Sequence, residues 1–111
     1  MTLTEELDDL VVIPSRMGSS RFPGKPLAMI DGKTMLERVV LNAVEAVGTQ
    51  STIVATCDAE ICREAERLGI RAIMTSQLHQ RASDRTAEAV KKLESEGLTF
   101  KSVLMLQGDE P

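Results

Sequence analysis

Three cations lie in one polar segment near the start of the chain, directly after a short apolar run. The segment from Pro14 to Leu27 carries Arg16, Arg21 and Lys25 among glycine, serine and proline residues. Small residues let backbone N–H groups approach phosphate oxygens, and arginine and lysine neutralise the charge on those oxygens. The segment therefore predicts a phosphate-binding loop, although a solvated basic loop without a ligand has the same composition.

The spacing of its glycines separates this loop from two common phosphate-binding motifs. A Walker A loop has four residues between its first glycine and Gly-Lys-Ser/Thr. Here five residues separate Gly18 from Gly24, and Pro26 stands in place of the hydroxyl residue. The dinucleotide-binding pattern Gly-x-Gly-x-x-Gly does not occur in the sequence either. The loop is therefore predicted to bind phosphate in another way.

A carboxylate follows the last apolar run of the chain. Asp109 lies in the segment Gln107–Pro111, which reads Gln-Gly-Asp-Glu-Pro. A carboxylate here can hold a hard divalent cation that bridges triphosphate oxygens, although Gly-Asp-Glu-Pro is equally a good turn. The segment His79–Arg85 is a weaker candidate, because a lone histidine in a polar loop is usually a surface residue and Ser83 or Asp84 can serve as a helix cap.

Strand and helix patterns alternate along the chain and would position these segments. The predicted strands are Leu10–Ile13, Thr52–Thr56, Arg71–Met74 and Ser102–Leu106. The helices between them are predicted to begin at Thr34 and Asp58 and to cover Asp84–Glu96. This α/β alternation predicts a parallel sheet with helices on both faces, which binds ligands at the carboxyl ends of its strands. Both polar segments follow a predicted strand at that edge.

Capping residues and apolar spacing predict how each helix begins and which face it turns inward. Thr34 and Glu37 form a predicted capping box, in which the Thr34 side chain bonds the backbone N–H of Glu37 and the Glu37 side chain bonds the backbone N–H of Thr34. Gly48 is a natural stop for this helix. Asp58 is expected to cap the second helix. The inward-facing apolar positions of the third helix are predicted to be Ala87, Val90 and Leu93.

Size and composition fit one small globular domain. The chain has 111 residues, of which 42% are hydrophobic and 27% are charged. Its net charge of -4 and its lack of Trp and Tyr argue against nucleic-acid binding. Cys57 and Cys62 are too few for a zinc site or a disulfide framework and are expected to be reduced thiols.

Neither a signal peptide nor a membrane span is predicted. Residues 1–9 are acidic and are expected to form a flexible N-terminus, and the domain itself is expected to cover residues 10–111. Since no long apolar stretch occurs in the sequence, no membrane insertion is expected. These features predict a cytoplasmic protein.

Four segments together resemble the 3-deoxy-manno-octulosonate (Kdo) cytidylyltransferases. They are Val11–Leu27 (Val-Val-Ile-Pro-Ser-Arg, then Ser-Arg-Phe-Pro-Gly-Lys-Pro-Leu), Val54–Thr56, His79–Arg85 and Gln107–Pro111. The resemblance implies a Rossmann-like three-layer sandwich with a mostly parallel sheet, of the nucleotide-diphospho-sugar transferase type and here incomplete. It also implies transfer of CMP from CTP to the anomeric hydroxyl of Kdo in lipopolysaccharide biosynthesis, with release of pyrophosphate and with Mg²⁺ as cofactor.

The resemblance assigns roles to individual residues. Arg16 and Lys25 match triphosphate-binding cations, Gln107 matches a substrate-contacting glutamine, and Asp109 matches a magnesium ligand. Arg16, Lys25 and Asp109 are accordingly the expected catalytic residues. The expected nucleotide-binding residues are Pro14, Ser15, Arg16, Met17, Gly18, Ser19, Lys25, Ser83, Arg85 and Gln107.

Departures from the family pattern leave the substrates open. Arg81, Ala82 and Ser83 replace Ser-Gly-Thr in a segment that helps recognise cytosine, and the residues from Arg16 to Arg21 are nearer to spore-coat polysaccharide relatives. The alternatives are a nucleotidyltransferase for another sugar acid or base, and a catalytically dead binding or oligomerisation module.

Length is a further departure from the family. Its members continue past Gln-Gly-Asp-Glu-Pro, with a second metal-binding aspartate, most of the sugar-acid pocket and homodimer contacts. The chain is therefore expected to be the nucleotide-binding half of such an enzyme, truncated at its C-terminus, and to bind nucleotide with little turnover of its own.

Overall fold

The computed structural model describes residues 5–18, 24–78 and 81–107, and for residues 5–8 only the backbone. The strands, in chain order, are β1 (Glu5–Pro14), β2 (Met29–Ile30), β3 (Lys33–Thr34), β4 (Thr52–Thr56), β5 (Arg71–Met74) and β6 (Leu98–Met105). The helices are α1 (Met35–Val47), α2 (Ala59–Arg67) and α3 (Ala82–Glu94), with short 3₁₀ helices at Lys25–Leu27 and Thr49–Ser51.

Four of these strands form one parallel sheet, in the order β5-β4-β1-β6. β1 is paired on both sides, so that Val12 lies opposite Ile53 of β4 and Met105 of β6. The chain proceeds outward from β1 to β4 and β5, and α3 then carries it back to β6 on the other side of β1. The topological switch point, where open α/β sheets bind their ligands, therefore lies between β1 and β6.

Helices cover both faces of the sheet, and alternate residues of β1 point to each face. Val11 and Ile13 belong to one hydrophobic cluster with buried residues of α1 and α2. Leu10 and Val12 belong to a second cluster with buried residues of α3. A strand that is buried on both faces must be apolar at every position, which explains the uninterrupted run in the sequence.

The predicted order of strands and helices and the predicted parallel sheet are confirmed. β4 and β5 have the predicted bounds, and α1 begins after Thr34 and ends before Gly48 as expected. Three differences appear. β1 begins at Glu5 rather than Leu10, β6 covers Leu98–Met105 rather than Ser102–Leu106, and an antiparallel β2–β3 hairpin that was not predicted lies between the loop and α1.

The inward face predicted for α3 is confirmed at Leu93, which is buried, and at Val90, which packs against the same cluster, but it is wrong at Ala87. The helix begins at Ala82 rather than Asp84, and Ala87 is exposed. Its buried residues are Arg85, Thr86, Ala89 and Leu93. Apolar spacing favoured Ala87 because it considers only apolar residues and could not predict that an arginine and a threonine are buried. These two polar side chains lie at the end of α3 that faces the carboxyl edge of the sheet.

Two further sequence-based points concern the thiols and membranes. Cys57 and Cys62 are both free thiols. In the part of the chain that the structure describes, no helix has the length and apolar character needed to cross a bilayer.

The two hydrophobic clusters predict where truncation of a side chain destabilises the domain. Leu36 of α1 is fully buried, whereas Leu41 of the same helix is 45% exposed. Leu36→Ala should lower the free energy of unfolding by about 2–5 kcal/mol, because it leaves a cavity against β1. The matched control Leu41→Ala should change it by roughly 0.5 kcal/mol. Urea unfolding of both variants measures the difference, and equal losses would contradict the assigned core.

Candidate functional site

The segments that follow β1 and β6 remain attached to the sheet for one residue beyond each strand. The N–H of Ser15 donates to a carbonyl oxygen of β4 at 2.9 Å, and the N–H of Leu106 donates to the carbonyl oxygen of Val12 at 2.9 Å. Arg16 and Gln107 come directly after these anchored residues. The structure thus brings the two predicted site residues to opposite sides of the switch point.

The loop from Pro14 to Leu27 is closed at its base by a hydrogen bond to the backbone of Met17. The N–H of Gly24 donates to the carbonyl oxygen of Met17 at 2.7 Å. Gly24 has φ 78°, in the left-handed region that favours glycine, and it begins the 3₁₀ helix that carries Lys25. The loop therefore leaves and re-enters the described structure at neighbouring points, with Arg16 before the closure and Lys25 after it.

Polar groups at this edge are placed without a protein partner. Arg16 is half-buried, and its guanidinium makes no hydrogen bond or ion pair within the described ranges 5–18, 24–78 and 81–107. Ser15 is 5% exposed, and its Oγ also has no hydrogen-bond partner there. Because buried polar groups are normally satisfied, the hydroxyl of Ser15 needs an explanation, and a bound ligand is one.

A second set of buried polar side chains belongs to β5 and α3. Thr75 and Thr86 are buried, and among the described residues their Oγ1 atoms have no hydrogen-bond partner. The N–H of Ser76 donates to Glu88 Oε1 at 3.0 Å, so the first turns of α3 stand over the carboxyl end of β5. Arg85 lies in those turns and is only 3% exposed. The carboxyl edge is therefore polar on the α3 side as well.

The predicted site residues differ in how far the structure tests them. The described ones are Pro14, Ser15 and Arg85, which are buried, Arg16, Met17, Lys25 and Gln107, which are half-buried, and Gly18 and Ser83, which are exposed. Ser19 and the expected metal ligand Asp109 lie outside the described residues. Across those ranges, no group of three or more His, Cys, Asp or Glu residues could hold a metal ion.

Asp58 takes a role that its sequence position did not predict. It occupies the N-cap position of α2, but within the described chain its side chain caps no N–H of that helix. Its Oδ2 instead accepts the N–H of Met17 at 2.8 Å. The predicted N-cap position is therefore confirmed, whereas the expected side-chain hydrogen bond to α2 is not formed within the described residues. The available signal was that Asp58 follows β4, the neighbour of β1, so its side chain can reach the loop after β1.

An ion-pair network holds the start of α1 against α2, just after the loop. Thr34 Oγ1 donates to Glu64 Oε2 at 2.6 Å and accepts the N–H of Glu37 at 3.0 Å, which confirms Thr34 as a cap. Arg67 Nε donates to Glu64 Oε1 at 2.7 Å, and Arg67 Nη2 donates to Glu37 Oε1 at 2.8 Å. Glu37 thus bonds Arg67, where the predicted capping box would have its side chain return to the cap.

Comparison with known proteins agrees with this geometry. A family model described as cytidylyltransferase matches residues 10–111. The chain is 45% identical over 105 residues to a 3-deoxy-manno-octulosonate cytidylyltransferase of Thermodesulfovibrio yellowstonii, covering 92% of this chain and 41% of that protein. It is 50% identical over 101 residues to one of Alteromonas mediterranea, covering 91% of this chain and 39% of that protein. The chain thus spans about 40% of the length of these curated relatives.

Solved structures show the same fold. A CMP:2-keto-3-deoxy-manno-octonic acid synthetase complexed with CTP matches with a TM-score of 0.81 and 38% identity, covering 95% of this chain and 42% of that one. A cytidylyltransferase of Leptospira borgpetersenii matches with a TM-score of 0.70 at 21% identity, which bears on the fold alone. That match covers 91% of this chain and 41% of the other.

The network around Glu64 predicts a pH-dependent contribution to stability. The hydrogen bond from Arg67 holds the pKa of Glu64 below its usual range, with a smaller contribution from Thr34. A lowered folded-state pKa stabilises the fold above the usual glutamate value, about 4.3, and this stabilisation is lost as the pH falls through the lowered pKa. Glu64→Gln should therefore lower the free energy of unfolding by about 1 kcal/mol or less at pH 7 and by less near pH 3.

Urea unfolding at a series of pH values measures this difference. Glu45→Gln is the matched control, because Glu45 is exposed on α1 and has no ion pair or hydrogen bond within the described residues. A deficit in Glu64→Gln that is the same at pH 7 and pH 3 would show that the charge of Glu64 does not contribute.

Proposed function

The chain belongs to the cytidylyltransferase family, and we propose that it forms the nucleotide-binding half of an enzyme that transfers CMP from CTP to Kdo. The products are CMP-Kdo and pyrophosphate. Relatives that carry this name, and a solved structure of such a synthetase with CTP, support the proposal. Since the chain spans about 40% of those relatives, the activity is proposed for the whole enzyme and nucleotide binding for this part of it.

The observation that carries the proposal is that Arg16, a half-buried residue, lies at the switch point beside the buried hydroxyl of Ser15. Within the described residues it has no partner, and it follows a buried hydroxyl, Ser15 Oγ, that has none either. A cation without a counter-ion among the described residues favours an anion, and the chain has a net charge of -4. An anion must therefore be attracted locally rather than by the charge of the whole molecule. A triphosphate is an anion that such a local cationic site can bind.

In the proposed reaction, the anomeric hydroxyl of the sugar acid attacks the α-phosphorus of CTP through its oxygen and gives up its proton to solvent. The bond from that phosphorus to the bridging oxygen of pyrophosphate breaks, and pyrophosphate leaves with its electron pair. Arg16 and Lys25 neutralise charge on the triphosphate and on the leaving group, which is the main catalytic contribution in such transfers. Gln107, on the other side of the switch point, orients the substrate through its amide.

A divalent ion is part of the proposal, with Mg²⁺ as the expected one. Proteins usually bind Mg²⁺ through one or two carboxylates together with substrate phosphates. Asp109 fits this mode as a ligand, because it directly follows the segment that β6 brings to the switch point. When bound, the ion neutralises charge on the phosphate oxygens.

The identities of the nucleotide base and of the acceptor sugar are part of the proposal. Arg81 and Ser83, which depart from the family pattern, are both exposed at the start of α3. A nucleotidyltransferase for another base or another sugar acid is therefore the alternative. Relative affinity of the chain for CTP, UTP and GTP decides between the bases. A homodimeric full-length enzyme is proposed from the family resemblance, and a cytoplasmic location is proposed from the sequence features given above.

A binding or oligomerisation module without catalysis is a second candidate, and one observation favours it. Val103, Leu104 and Met105 of β6 are exposed although they are apolar. Exposed apolar residues on a sheet edge can join a partner strand. Light scattering with and without CTP separates the two functions, because a module of this kind should form oligomers that do not respond to nucleotide.

Removal of the loop cations tests the proposed triphosphate site. Arg16→Ala and Lys25→Ala should each weaken CTP binding about tenfold or more, because a charge-assisted hydrogen bond contributes about 1.5–3 kcal/mol. Lys91→Ala is the matched control, since Lys91 is exposed in the last turn of α3, away from the carboxyl edge. Titration by NMR in the presence of Mg²⁺ measures the affinities. Equal affinity in all three variants would exclude the loop as the phosphate site.

A further inference from the structure

The carboxylate of Asp58 is directed away from its own helix and towards the nucleotide loop. An aspartate at an N-cap normally accepts an N–H of the first helical turn. Here Oδ2 accepts the N–H of Met17, 41 residues away in sequence, at 2.8 Å. A helix that gives up its cap loses stability, so the contact with the loop must compensate for this loss.

Neighbouring groups fix the orientation of this carboxylate. The N–H of Asp58 donates to Thr56 Oγ1 at 3.1 Å, and Thr56 is fully buried at the end of β4. Cys57 Sγ lies 3.7 Å from the same Oδ2. Thr56 is itself held in the sheet, because its carbonyl oxygen accepts the N–H of Thr75 at 2.9 Å. The position of Asp58 is thus set by the sheet.

The contact with Asp58 holds one side of Met17, and the loop closure holds the other. Its N–H is bound by the carboxylate, and its carbonyl oxygen is bound by the N–H of Gly24 at 2.7 Å. Met17 lies between Arg16 and Gly18, so fixing both of its peptide groups fixes where the Arg16 side chain begins and how the Gly18 amide points. Groups that are held in place before binding give higher affinity, because less conformational entropy is lost.

A second point is the sign of the charge. A carboxylate close to a phosphate site weakens phosphate binding through repulsion unless it does something else that offsets this effect. The hydrogen bond to the Met17 N–H supplies such a function, because it acts on the loop and not on the nucleotide.

We propose that Asp58 is a positioning residue of the nucleotide site, which sets the conformation of the Arg16–Gly18 backbone and thereby the affinity for the triphosphate. This inference rests on the proposed function. It adds a residue between β4 and α2 to a site otherwise built from the segments after β1 and β6.

The test compares Asp58→Ser with Asp58→Asn. Serine is a good N-cap that can serve α2 but is too short to reach Met17, whereas asparagine keeps an oxygen that can accept its N–H. Both variants remove the same charge, so the difference between them isolates the hydrogen bond. Asp58→Ser should weaken CTP binding about tenfold, and Asp58→Asn should change it less than about threefold.

Hydrogen exchange of the Met17 amide, measured without nucleotide, distinguishes positioning of the loop by Asp58 from a purely structural role of Asp58. Exchange should be faster in Asp58→Ser and near the wild-type rate in Asp58→Asn. Urea unfolding should show that both variants remain folded. If Asp58→Ser does not fold, α2 rather than the loop depends on the carboxylate, and the inference is overturned.

The outcomes separate the inference from the function on which it rests. If the wild-type chain does not bind CTP, the proposed function fails, and the inference fails with it. If the wild type binds CTP and both variants bind it equally well, the inference alone is overturned. The same holds if both variants lose affinity to the same extent, because charge and not the hydrogen bond would then be responsible.

Discussion

The burial of β1 on both faces is the constraint on which the candidate site depends. Leu10 and Val12 pack against α3, while Val11 and Ile13 pack against α1 and α2. A slip of one residue would exchange these two sets between faces, so packing on both sides fixes the register of the strand. β4 and β6 pair with its two edges and fix it further. The chain therefore leaves the sheet after Pro14 at one defined point, from which the loop begins.

From that point, three hydrogen bonds donated by backbone N–H groups hold the two described ends of the loop. Ser15 is bound to β4, Met17 is bound to Asp58, and Gly24 returns to Met17. Each contact uses an N–H group that would otherwise need a partner or water. Arg16 and Lys25 thereby lie on either side of this closure, and we propose that they give an acidic chain a local site for an anion.

Local patterns in the sequence were sufficient for much of the fold and for the position of the loop. β4 is a compact strand rich in β-branched residues. α1 lies between Thr34 and Gly48, which are residue types that commonly begin and end helices. These local patterns could not predict long-range contacts. Nothing local shows that Asp58 would bind a residue 41 positions away instead of capping α2, because both uses require the same side chain.

The same distinction applies to α3 and to the site residues. Apolar spacing placed Ala87 inward, because it assigns polar residues such as Arg85 and Thr86 to the outer face. Tertiary packing instead buries Arg85 and Thr86 and leaves Ala87 exposed. Ser19 and Asp109 lie outside the described residues, so their roles stay predictions. What the structure adds is the order of the strands, which brings the segments after β1 and β6 to one switch point although they are far apart in sequence.

The most direct test of the central claim is a map of amide chemical-shift changes when CTP and Mg²⁺ are added to the chain. The proposed site predicts that the largest changes fall on Ser15–Gly18, Lys25 and Gln107, at the carboxyl edge of the sheet. An alternative location exists at the opposite edge, in the cavity lined in part by Leu10 and Phe100. Changes confined to that cavity, or no changes at all, would contradict the assignment of the loop as the triphosphate site.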